Sequence, residues 1–182
     1  MKKIIFALLM GSAVLVAPSC KKDDDSNNGG GTTTPPTLVG NWNLTEYNVD
    51  ASTTVDFMGI EAQFTITAKK VAGAGTLNFE SNNLLAGNGI IVLETTVVAT
   101  AFGAPLFSDT DTDDLDLDEE FTGTAYEILA GNKVKMTLDG EERTFDYVIS
   151  GQTATLTSTF TITDNDFGDE PLLINVEFKL AK

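Results

Sequence analysis

The chain has 182 residues, of which 11 are basic, 27 acidic and none histidine, with one cysteine and a formal net charge of −16. That charge opposes nucleic acid and anionic headgroups, and the missing histidine and single cysteine remove soft-metal ligation and the common nucleophilic dyads and triads. No serine stands in a nucleophile motif beside a candidate base, and the carboxylates cluster where nothing separates their pKa values, so no enzyme is expected.

Lys2 and Lys3, the apolar stretch from Ile4 to Ala17 and the small residues up to Ser19 form the three parts of a secretory signal over residues 1–19. The apolar stretch is shorter than the about 20 residues a spanning helix needs, and Lys21-Lys22-Asp23-Asp24-Asp25 follows almost at once. Cys20 resembles the lipidated cysteine of bacterial lipoprotein signals; Ala17 and Ser19 fit the lipobox and Pro18 departs from its commonest form. The resemblance implies diacylglycerol on the thiol, cleavage before Cys20 and a further acyl chain such as palmitate on the freed amine. At about 0.8 kcal/mol per buried methylene, two or three chains hold a protein on a bilayer. Lys21 stands where aspartate retains many lipoproteins in the inner membrane, and the Lys-Lys-Asp-Asp-Asp run resembles the export signal of surface-displayed Gram-negative lipoproteins. The expected location is the outer membrane, lipid-anchored, at the cell surface.

Residues 20–37 carry the lipidated cysteine and a tether. From Ser26 to Thr37 there is no apolar side chain to bury, and a flexible chain of this length spans about 20 Å. Loss of Lys2 and Lys3 with the signal takes the net charge from −16 to −18. The acidity gathers at Asp23–Asp25, Asp109–Glu120 and Asp164–Glu170, which read as tether and loops around a more neutral body.

Residues 38–182 are the size of one domain. Their apolar residues recur with period two, the strand signature. Strands are predicted at Trp42–Val49, Gln63–Ala68, Gly75–Phe79, Ile90–Ala101 and Gly123–Ala130. Beyond these, Val134, Met136 and Leu138 alternate with polar residues, as do Phe145, Tyr147 and Ile149, then Leu156, Phe160 and Ile162, and finally Leu172, Ile174, Val176, Phe178 and Leu180. Gly131-Asn132, Asp139-Gly140 and Ser150-Gly151 supply the positive φ of two-residue hairpin turns. Eight or nine antiparallel strands, each with one apolar face, close into a barrel or pack as two sheets.

Leu38-Val39-Gly40-Asn41-Trp42-Asn43-Leu44 resembles the opening of lipocalin-like domains, in which Gly-x-Trp begins the first strand and the tryptophan closes the barrel base. Tyr126–Thr163 is similar to the second half of lipocalin-like lipoproteins of Gram-negative bacteria. The resemblance implies an all-β fold, an antiparallel up-and-down β-barrel. Many lipocalins set an arginine against the tryptophan; the only arginine here, Arg143, lies on an interior hairpin, so that partner is missing.

In such a barrel the interior is the small-molecule site. Trp42, Phe64, Phe79, Met136, Tyr147, Phe160 and Phe178 are its candidate lining, and the same residues would fill a ligand-free core. The run from Asp109 to Glu120 has oxygen ligands at alternate positions, Asp109, Asp111 and Asp113, and a glutamate eleven residues after the first. That spacing matches a calcium-binding EF-hand loop, although Asp114 stands where the turn needs glycine. The plainer reading is a solvated acidic loop, and no other cofactor is indicated. Two functions follow: a lipid-anchored module that binds a small apolar or amphipathic molecule in the barrel, or a structural or interaction component with a solid core that contacts another envelope protein.

Overall fold

The computed structural model describes residues 37–57, 59–138, 141–163 and 170–182. The signal segment, Cys20, the tether up to residue 36, the Asp139-Gly140 turn and the acidic residues from 164 to 169 lie outside them.

Among the described residues eleven strands form: β1 (Gly40–Phe57), β2 (Ile60–Gly73), β3 (Thr76–Phe79), β4 (Leu84–Asn88), β5 (Ile90–Ala101), β6 (Ala104–Asp116), β7 (Thr124–Leu129), β8 (Lys133–Leu138), β9 (Glu141–Ser150), β10 (Thr153–Ile162) and β11 (Leu172–Ala181). Among the described residues one short helix, α1 (Leu117–Phe121), stands between β6 and β7. All pairings are antiparallel, and β11 closes onto β1 to make an eight-stranded ring in the order β1, β3, β4, β7, β8, β9, β10, β11. The expected up-and-down barrel is present.

The three extra strands form an arm. β1 pairs with β3 through Gly40–Asn43 and with β2 through Asn48–Phe57. Thus β2 with β3, β4 with β5, and β6 with β7 are each one wall whose lower part belongs to the ring. The upper part continues as the sheet β1–β2–β5–β6. The break falls at glycines: at Gly73 (φ +79°) and Gly89 (φ +97°) a Cβ would meet the facing backbone at Ile90 and Ala74.

At the closed end the alternation buries one face of every wall. Trp42, Leu77, Phe79, Leu85, Val134, Met136, Phe145, Leu156, Phe178 and Leu180 are all at most 2 % exposed. Phe178 is the hub: its ring centroid lies 4.9 Å from Tyr47, 5.6 Å from Phe145 and 6.1 Å from Phe121. Helix α1 brings Phe121 there. Asp116 caps it, accepting 2.9 Å from the Asp118 amide, and Asp118, Glu119 and Glu120 fill its first turn. Its buried Leu117 presses on Gly75 and Gly87. The helix thus joins the inner face of β4 to Phe178 on β11 and fills the space between walls.

Gly131 and Asn132 both have positive φ, as the turn reading expects. The β9–β10 loop is Gly151-Gln152, one residue later than predicted, because Ser150 still pairs with Thr153. The larger correction concerns Asp109–Asp116, which is strand rather than loop. Aspartate is a poor strand former, but β5 offers an unpaired apolar edge and Thr110 hydrogen-bonds across to Thr96 at 2.9 Å between hydroxyl oxygens. Carboxylates also suit an edge strand, since they discourage strand addition by further copies.

The outer wall carries exposed ion pairs. Hydrogen bonding to the Lys179 ammonium, 2.7 Å away, lowers the Glu46 carboxyl below its usual 4.5. A lowered carboxylate contributes stability above its unfolded pKa and loses it as pH falls through the folded value. Glu46→Gln is therefore slightly less stable than the parent at pH 7, and the gap in Tm closes as the pH falls below 4.5 and through the folded value.

Candidate functional site

The seven candidate lining residues separate by depth. Trp42, Phe79, Met136 and Phe178 lie in the closed end with exposures of 1, 0, 2 and 2 %. The indole N–H of Trp42 donates to the carbonyl of Leu38 at 2.6 Å, and Phe79 meets Tyr126 edge-on at 5.3 Å. These four fill the core. Phe64 on β2 and Phe160 on β10 are half-buried nearer the arm, whereas Tyr147 on β9 pairs with Leu156, at the level of Phe178, and is half-buried against the closed-end core.

The cation over Trp42 is Lys182, whose ammonium stands 4.4 Å from the ring centroid. That contact is worth about 0.5–1 kcal/mol at an exposed site. Arg143 does other work. It faces inward on β9 with its guanidinium 4.4 Å from the Phe160 centroid and 3.7 Å from Glu141, and its Nε is buried without a hydrogen-bond partner.

The candidate calcium ligands do not converge. Asp109, Asp111 and Asp113 pair with Val97, Thr95 and Leu93 along β6, so they share one face. Alternate residues of a strand are about 6.6 Å apart, a row rather than a loop wrapped around a point. Glu120 sits on α1 instead. Among the described residues no group of three or more acidic side chains could hold a metal ion.

A further surface has no counterpart in the predicted features. The β1–β2 and β5–β6 hairpins end side by side, because Ala62 pairs with Ala101, and their tips expose Ile60, Phe102, Leu106 and Phe107. Phe102 is 88 % exposed. It occupies, with Gly103, a two-residue turn in which both φ angles are positive, +52° and +74°. Such turns favour Asn-Gly, and a left-handed residue bearing a Cβ costs about 1–2 kcal/mol. Leu106 is the extra residue of a bulge, since Ala99 pairs with Phe107 and Thr100 with Pro105. The signal in the sequence was the turn dipeptide Phe102-Gly103 between alternating stretches.

Compared with protein-family models, with curated proteins and with solved structures, the chain matches none.

Proposed function

We propose that the protein is a non-enzymatic lipoprotein of the Gram-negative outer membrane, held at the cell surface through acylated Cys20, whose lipocalin-like barrel acts as an interaction component of the envelope. The observation that carries the interaction reading is the filled closed end. Four of the seven candidate lining residues are packed against one another's neighbours, with α1 set between the walls, while large apolar side chains are presented outward at the arm tip. Such a body offers surfaces more readily than it offers a lumen.

A small apolar or amphipathic molecule is the second reading. It is favoured by Phe64 and Phe160, which remain half-buried where the ring opens toward the arm.

Cys20→Ser tests the anchor. The parent is expected in the membrane pellet, released by detergent and not by salt, and digestible by protease added to intact cells. The variant is expected in the soluble fraction, because no acyl chain remains to bury. Equal partition of the two proteins would exclude the lipid anchor, and protection of the parent in intact cells would exclude surface display.

A further inference from the structure

The turn Phe102-Gly103 places an aromatic side chain where the fold gains nothing from it. Phe102 is 88 % exposed and its backbone is left-handed, a conformation in which asparagine is the favoured partner of glycine. A disfavoured conformation that buries nothing within its own chain points to burial elsewhere. Leu106, 65 % exposed, Phe107, 45 %, and Ile60, 41 %, surround it on the same two hairpin ends.

Charge selects among the surfaces that could cover this tip. Asp56 and Glu61 flank one hairpin, Asp109 and Asp111 follow Phe107 on the other, and no lysine or arginine occurs between residues 71 and 132. A second copy carries the same sign, and an anionic bilayer would repel it too. Chain geometry gives the same answer for the anchoring membrane. β1 runs 18 residues from its start beside the N-terminal segment to the tip, roughly 60 Å at 3.3 Å per residue. The tip is carried away from the lipids that hold Cys20.

We infer that the arm tip is a docking surface for another envelope protein that offers an apolar pocket rimmed by lysine or arginine, with Phe102 as the buried centre of the contact. The orientation argument rests on the lipid-anchored reading; the charge and backbone arguments stand without it.

The test places a photoreactive phenylalanine derivative at position 102 of the full-length protein in intact cells. The same group at Val148, an exposed residue of the barrel wall, is the control. The expected result is one protein adduct from position 102 and none from 148, its linked peptide lying on an apolar surface that bears lysine or arginine. With that partner purified, Phe102→Asn weakens binding at least tenfold, and binding of the parent weakens as salt rises from 50 to 500 mM. Phe102→Asn suits its turn better than phenylalanine does, so it folds at least as well as the parent and any loss is one of contact. A lipid adduct, an adduct to a second copy, no adduct, or full affinity in Phe102→Asn overturns the inference. Adducts are scored separately in membrane pellet and supernatant. A partner adduct found only in the supernatant would refute the anchor while leaving the docking surface in place.

Discussion

Replacing Phe178 with alanine lowers the unfolding free energy by about 3–5 kcal/mol, the range for deletion of a large aromatic side chain from a packed core. The ring is 2 % exposed and lies against Tyr47, Phe121 and Phe145, which come from β1, α1 and β9. None of these can follow the lost ring without leaving its own wall, so a cavity remains and its cost adds to the lost transfer energy. Urea unfolding followed by the fluorescence of Trp42, the single tryptophan, measures the effect. The midpoint should fall while the slope holds. A loss under about 1 kcal/mol would mean that the ring faces a space already loose, and would move the account toward a ligand-holding lumen.

Gly87→Ala is the second large effect, expected to cost about 2–3 kcal/mol through overpacking. Its φ is not in the left-handed region, so the cost is one of space alone: the new Cβ would collide with the backbone carbonyl of Leu117. Gly75→Ala meets the same residue differently, at a side-chain methyl of Leu117. A Leu117→Ala background therefore relieves Gly75→Ala and leaves Gly87→Ala as harmful as before. Double-mutant cycles on the two pairs separate these cases. Equal relief in both would show that α1 does not seat its backbone on β4.

The C-terminal half was legible because its apolar residues alternate cleanly and its turns use glycine with asparagine or a polar neighbour. Val134, Met136, Leu138 and Phe145 fall on the inner face as expected. In the arm, β5 has its predicted range and β2 contains the predicted Gln63–Ala68, but β6 was not legible, for a physical reason. A strand shows in the sequence as alternating apolar residues, and β6 alternates aspartate with threonine, so this edge strand has the pattern of a cation-binding loop. β4 escaped because Leu84-Leu85-Ala86-Gly87-Asn88 is short, and its glycine marks the close approach of α1 rather than a loop.

For the candidate site, residue type was readable and depth was not. Phe79 and Phe64 are alike in sequence, yet Phe79 sits in the ring on β3 and Phe64 in the arm on β2. Which end a side chain reaches depends on where each wall bends, and those bends come from the close backbone approaches of Gly73 to Ile90 and of Gly89 to Ala74. Lys182 over Trp42 is likewise a product of closure, because β11 returns to β1 only once all eight walls are in place.

Native mass spectrometry of the mature protein, extracted from its own membranes in mild detergent, tests the central claim most directly. A lipid-anchored barrel with its own side chains as filling predicts a polypeptide that begins at Cys20, carries diacylglycerol and one further acyl chain, and retains no other small molecule. A stoichiometric apolar passenger, or an unmodified N-terminus, would contradict it.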